Sequence, residues 1–395
     1  MLTNKKTHRF GKVFHSCLHS NTTKAVTAAL AIAAPLTASA YNFSSGDVDM
    51  SIGGFAKLSA MYTSTDSGKI ASNSFGRDIY LPSTIPVGNG DSYKTLDMTA
   101  RESRLNFKAN TKQDGHDMGM VLEFDFLSTT NGNEVVSNSN SPRLRHFFFT
   151  FDNWLFGQTW STFMDTAALA ESVDFLASPE GIVFIRQAQV RYTRGDLQVA
   201  LENPESFVSG SNDRDVNSLP DVTANYKLKA DWGHMRLNGL LRQLKVDEPG
   251  ISTSTTGYGM GLSGKIKVGT ADDVRFSLNY GDGMGRYTSL GLVKDGILVG
   301  SDIKTVKSTA ASVAYRHIWD QKSRSNIILS TVDINNPTGA AGTENKRASS
   351  MQVNYFYSPV KQVSYGIMYL TGKRETENGD DGKLNRIQAA AKYSF

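Results

Sequence analysis

The side chains in this chain that could do acid–base, nucleophilic or metal chemistry are few and scattered. Beyond residue 40 there are four histidines, His116, His146, His234 and His317, and no two have metal-ligand spacing. Neither H-E-x-x-H nor G-x-S-x-G occurs, so a serine–histidine–acid set could assemble only in space, as in barrel-embedded hydrolases. The single cysteine, Cys17, falls within the first forty residues, leaving the rest without a thiol nucleophile, disulfide or Cys-ligated metal. Gly281-x-Gly283-x-Gly285 imitates a phosphate loop, but it follows a strand pattern with no helix pattern after it and reads better as a glycine bend. Asp380-Asp381-Gly382 could bind calcium, and a solvated loop explains it equally well. No cofactor, metal site or enzymatic activity is expected.

The ordered feature is charge. Arg104, Lys108, Arg191, Arg236, Arg242, Lys265, Lys267, Arg275, Arg316, Arg386 and Lys392 fall on the polar face of alternating segments. The acids on that face are Glu102, Glu123, Asp125 and Glu202, with most compensating negative charge in the connections. Any polar wall must be solvated, which explains most of these residues, but the positive excess goes further. A basic, low-dielectric channel concentrates anions, and arginine pairs bidentately with carboxylates and phosphates.

The chain's overall basicity is a different matter. Its 42 Lys+Arg and 38 Asp+Glu give +4, yet Lys5, Lys6, Arg9, Lys12 and Lys24 lie in the first forty residues with no acid, which puts the remainder at −1. Nucleic-acid binding therefore has no support. The same forty residues have a basic start, the apolar stretch 25–36 and Ala38-Ser39-Ala40, the pattern of a secretory signal peptide cleaved near Ala40. No stretch approaches 18 consecutive apolar residues.

The elements that must position the charges are strands. Period-two alternation runs from Met50 to Phe395, most clearly in Met118/Met120/Leu122/Phe124/Phe126 against Gly119, Val121, Glu123 and Asp125. The last strand carries Ile387, Ala389, Ala391, Tyr393 and Phe395 on one face. The faces of 143–151 are ambiguous, because both carry Phe. About sixteen segments of membrane-crossing length follow, in an all-β fold read as one transmembrane antiparallel β-barrel over 41–395.

Short links at Asp152-Asn153, Gly195, Asp231-Trp232, 269–272 and 358–361 alternate with long ones at 63–95, 129–142, 161–183, 205–219, 283–307 and 335–346. Short turns on one rim and long loops on the other are the outer-membrane arrangement. Segment 161–183 stands apart, with Phe163, Met164, Leu169, Val173, Phe175 and Leu176, a helical spacing, and acids at Asp165, Glu171 and Asp174. On an outer rim it would expose an apolar patch. It is expected to fold inward as a constriction loop, its acids facing Arg104, Arg191 and Arg242 and setting a transverse field.

Trp154-Leu155-Phe156-Gly157-Gln158-Thr159-Trp160-Ser161-Thr162-Phe163-Met164-Asp165 resembles the constriction-loop entry of the DcaP-like outer-membrane porins. Gly54-Phe55-Ala56-Lys57-Leu58, Glu123-Phe124-Asp125-Phe126, Leu201-Glu202-Asn203-Pro204-Glu205 and Gly372-Lys373-Arg374 are similar to that family too. The resemblance implies a sixteen-stranded homotrimer in the outer membrane of a Gram-negative bacterium, bordered by lipid and lipopolysaccharide, and solutes such as dicarboxylates. Only 41–49 precede the first strand, with no room for the periplasmic coiled coil that some relatives carry. The expected function is a passive diffusion porin favouring small anionic solutes. A non-selective porin and a barrel-embedded hydrolase are the alternatives.

Overall fold

The computed structural model describes residues 40–127, 140–212 and 214–395. The expected leader, apart from Ala40, and 129–139 of the second long connection lie outside them.

Sixteen strands form the wall: β1 Val48–Thr65, β2 Tyr93–Thr99 continuing as Arg104–Gln113, β3 His116–Asp125, β4 Arg143–Phe151, β5 Trp154–Trp160, β6 Arg186–Arg194, β7 Leu197–Glu202 and β8 Asp221–Ala230. The circuit goes on with β9 Gly233–Glu248, β10 Ile251–Val268, β11 Asp272–Asp282, β12 Lys307–Ile318, β13 Ser323–Asn335, β14 Asn345–Val360, β15 Val363–Thr376 and β16 Asp381–Ser394. Each strand pairs antiparallel with the next, and β16 returns to β1 through Phe55↔Ser394 to Thr65↔Leu384, closing the barrel. Closure leaves no sheet edge unpaired, the condition for strands to span a membrane. At the seam Gly54 and Phe395 exchange backbone hydrogen bonds of 2.9 and 3.1 Å.

The alternation works as a physical rule. Leu58, Tyr62, Leu237, Leu241, Leu278, Tyr280, Ile367, Tyr369 and Ile387 are exposed on the outer wall. Their neighbours Ser59, Thr63, Asn238, Arg242, Asn279 and Arg386 are buried on the inner one. The ambiguity at 143–151 has a structural cause. The β3–β4 ladder pairs Glu123 with His146 and Phe124 with Leu144, so Arg145 is the extra residue of a β-bulge. The bulge turns Arg145 and His146 both inward and shifts every later side chain by one step.

Short turns join β2–β3, β4–β5, β6–β7, β8–β9, β10–β11, β12–β13 and β14–β15 on one rim. β14 runs to Val360, so its turn is 361–362, later than the sequence suggested. The other rim carries the long connections, with short links also at 249–250 and 377–380.

The interior is not uniformly polar. Trp160, Phe163, Met164, Leu169, Leu176, Ile182 and Val183 pack with Leu240 of β9 and with Met284 and Tyr287 of loop 283–306. Ile70, Tyr80 and Ile85 of loop 66–92 pack with Val173 and with Phe356, Met368, Leu370 and Leu384 of β14 to β16. Three loops thus fill part of the barrel with a core of their own. Burying apolar side chains there removes the patch they would present to water. Segment 163–176 is not helical beyond one 3₁₀ turn, Thr166–Ala168, capped by Asp165 Oδ1 accepting from Ala167 N (3.1 Å).

Candidate functional site: the lumen

The wall holds its charges in three clusters. On β2 to β4, Asp125 accepts a bidentate pair from Arg143 (2.8 and 2.7 Å) and a third bond from Arg145 (3.0 Å). Arg145 also donates to Glu123 (2.7 Å), which lies 3.5 Å from Arg104. The Arg145 side chain is 1 % exposed, and its guanidinium sits 5.6 Å from the ring centres of both Trp160 and Phe175. The bulge is what aims it there.

The second cluster lies on β9 to β12. Asp273 pairs with Arg275 (2.8 Å), Arg316 and Lys265 (3.7 Å). Arg275 also donates to the Leu169 carbonyl, and Arg236 to the Met164 carbonyl (3.2 Å). Asp165 lies 2.9 Å from His234 Nε2 and accepts from Ser263 Oγ (3.1 Å). Burial pushes the Asp165 carboxyl up, but the His234 hydrogen bond and Arg236 outweigh it and hold it below the usual range. Here serine, histidine and acid do meet, with the carboxylate in the middle. Nucleophilic catalysis needs the histidine between serine and acid. This set is a loop anchor.

The third cluster faces the outer rim. Arg242, fully buried, lies 2.8 Å from Asp295 and 3.4 Å from Asp221. Tyr287 Oη donates to Asp221 (2.8 Å), and Glu202 accepts from Thr162 N (2.7 Å), Ser161 Oγ (3.0 Å) and Thr223 Oγ1 (2.6 Å). Arg191 donates to Gln189 (3.0 Å) and to the Trp160 carbonyl.

Loop 161–185 therefore lies against inward-facing side chains around much of the barrel. At its far end Glu171 takes a bidentate pair from Arg324 (2.8 and 2.6 Å), and Ser172 and Val173 N bond Gln352 (2.8 Å) and Asn354 (2.9 Å). Lys57 Nζ bridges the Val173 carbonyl (2.7 Å) and Glu102 (2.6 Å). Gly366 leaves the room, since a Cβ there would come 2.7 Å from Val173 Cγ2.

These contacts correct two expectations. Asp165, Glu171 and Asp174 do not face Arg104, Arg191 and Arg242. Each is bound to its own anchor, Asp165 to His234 and Ser263, Glu171 to Arg324 and Asp174 to the Tyr80 N–H, so all three are used in holding the loop. Nor are the wall cations compensated mainly by loops: Asp221 and Asp273 are buried wall acids in the first residues of β8 and β11.

A vestibule of about 400 Å³ lies open between loop 161–185 and the wall of β1 to β4 and β13 to β16, reaching Phe395 and Lys361 at the short-turn rim. Seven basic side chains line it, Lys57, Arg104, Lys108, Arg145, Arg324, Lys361 and Lys392, against Glu102, Glu123, Glu171 and Asp174. Phe163, Arg191, Arg236, Arg242, Arg275 and Arg316 face inward elsewhere. Arg145, Arg324 and Tyr80 escaped the sequence reading. The first was hidden by the bulge, and the other two by a strand apolar on both faces (327–329) and a loop read as polar.

The DcaP outer membrane protein family model matches residues 21–395. The crystal structure of the outer membrane channel DcaP of Acinetobacter baumannii is similar over 91 % of this chain and 100 % of that one, with TM-score 0.77 and 26 % identity. OmpT of Vibrio cholerae (TM-score 0.57, 13 % identity, 90 % of this chain and 100 % of that one) shares the fold. So does an anion-selective porin from Comamonas acidovorans (0.55, 11 %, 88 % and 100 %). No curated protein matches the sequence.

Proposed function

Because the chain belongs to the DcaP outer membrane protein family, whose barrel is an outer-membrane channel, we propose that it conducts small anionic solutes by passive diffusion, with loop 161–185 as the constriction. The observation that carries this reading is the vestibule's unbalanced charge. Lys57, Arg104, Arg145 and Arg324 have acidic partners, whereas Lys108, Lys361 and Lys392 form no ion pair among the described residues. Uncompensated ammonium groups in a low-dielectric passage raise local anion concentration and repel cations. Lys392 and Arg104 both lie against the Phe55 ring, 5.4 and 5.2 Å from its centre, holding two cations close together. That arrangement suits a solute with two carboxylates.

The same reading takes the protein as a homotrimer, its apolar outer face against lipid and lipopolysaccharide and its processed start near Tyr41. Planar-bilayer recording across a KCl gradient tests the central claim. The reversal potential is expected on the anion side, and a value at zero would assign a general, non-selective porin instead.

A further inference from the structure

Loop 66–92 is folded into the barrel beside loop 161–185, and its anchors are specific. Arg77 takes Asp97 of β2 bidentately (2.9 Å to each oxygen), and Arg101 pairs with Asp78 (2.7 Å). Arg386 of β16 donates to the Gly76 carbonyl (2.6 Å), and Arg374 to the Ser83 and Ile85 carbonyls (2.9 Å each). Beyond their apolar packing through Val173, the hydrogen bonds between the two loops among the described residues converge on one side chain and its backbone. Tyr80, fully buried, donates its backbone N–H to Asp174 Oδ2 (2.8 Å) and its hydroxyl to Glu180 Oε1 (2.7 Å). Gly372 of β15 makes space for the ring, since a Cβ there would collide with Tyr80 Oη.

Both carboxyls are buried, and their surroundings differ. Asp174 faces Tyr80 of loop 66–92, Lys57 of β1, Glu102 between the halves of β2, and Arg386 of β16, and its Oδ1 has no hydrogen-bond partner. Glu180 faces Tyr80, Ser350 of β14 (2.8 Å) and Ser330 of β13, and no Lys, Arg or His forms an ion pair with it among the described residues. A buried carboxylate without a cation is costly, whereas a buried carboxylic acid is not. Phe175, next to Asp174, reaches from this junction to Arg143 and Arg145 of β4.

We propose that Tyr80, Asp174 and Glu180 form a proton-operated latch that locks loops 66–92 and 161–185 together in acid and keeps the passage beside Phe175 narrow. Burial pushes the Asp174 carboxyl up to about 6, with Glu102 adding to it against the pull of Arg386, and burial also raises Glu180. The latched form thus holds its protons more tightly than the released form, whose carboxyls meet water. For Asp174 the latch is fully favoured below about pH 4, weakens as pH rises, and has lost this contribution above about pH 6, a change of about a hundredfold in the latch equilibrium. Glu180 acts in the same direction.

The inference rests on the protein being a channel, not on its anion preference, and the test separates the two. Single-channel conductance of the intact protein at pH 7 reports the channel, and the ratio between pH 4.5 and pH 7 reports the latch. Wild type is expected to lose conductance or open time in acid. Asp174→Asn with Glu180→Gln, which imitates the protonated pair, should conduct at pH 7 as wild type does at pH 4.5 and respond little to pH. Should that barrel fail to assemble, Tyr80→Phe removes the hydroxyl bond between Tyr80 and Glu180, lowers the latched population at every pH, and must move the wild-type midpoint to lower pH. A pH-independent wild type, a double variant with the full acid response, or an unmoved Tyr80→Phe midpoint each overturns the latch.

Discussion

Replacing Lys108 and Lys392 together with glutamine removes two of the three unpaired cations of the vestibule and nearly preserves volume. An ion crossing so narrow a space comes within about 7 Å of each ammonium, where a unit charge in water contributes about 0.6 kcal/mol before screening. At 0.1 M salt, a screening length of about 10 Å reduces this to about 0.3 kcal/mol per lysine. The pair then contributes about one RT, lowering anion and raising cation occupancy about 2.7-fold each, so the anion/cation ratio falls about sevenfold. At 0.01 M the screening length is about 30 Å, and the same reasoning gives about 20-fold. The assay is the reversal potential across a KCl gradient at both salt levels, beside Arg347→Gln, whose guanidinium pairs with Asp333 on the outer face of the wall. A double variant that keeps the wild-type reversal potential at low salt refutes the vestibule as the origin of selectivity.

Arg242→Gln leaves Asp221 and Asp295 buried without their cation and should cost about 3–5 kcal/mol, read as a lower urea midpoint by heat-modifiable mobility. It is therefore a stability variant, unsuited to probing selectivity. Leu122→Arg, on the lipid face of β3, should cost about 2–4 kcal/mol if Leu122 sits near the bilayer midplane, whereas Asn106→Arg on the lumen face of β2 should assemble normally. Equal assembly defects at the two positions would overturn the face assignment. Gly372→Ala should dislodge the Tyr80 ring and raise conductance at pH 4.5 above wild type, with unchanged conductance counting against the seat.

The closed all-β barrel was legible because its physics is local. Side chains of a strand alternate with period two, the lipid face must be apolar, and a polar lumen face shows in sequence wherever strands are regular. This was enough to place Arg104, Lys108, Glu123, Asp125, Arg191, Arg236, Arg242, Arg275 and Arg316 on the inner wall. Alternation failed at Arg145, because a bulge inserts one residue and flips the parity after it, and whether a strand bulges depends on its partner. It also missed the apolar inner positions Ile328, Val332, Leu370 and Leu384, which are stable there only because loops from elsewhere in the chain cover them.

The sequence by itself determined that charges face inward, since that follows from residues two apart on one strand. Only the tertiary structure decided which of them keep a free charge. Asp273 is shared by Arg275, Arg316 and Lys265 and leaves that cluster net positive, Glu171 neutralises Arg324, and Tyr80 meets Asp174 and Glu180 across about a hundred residues of chain. Those pairings are set by loops folding back into the barrel, a long-range packing event driven by burial of their apolar side chains, and no local pattern encodes the partner.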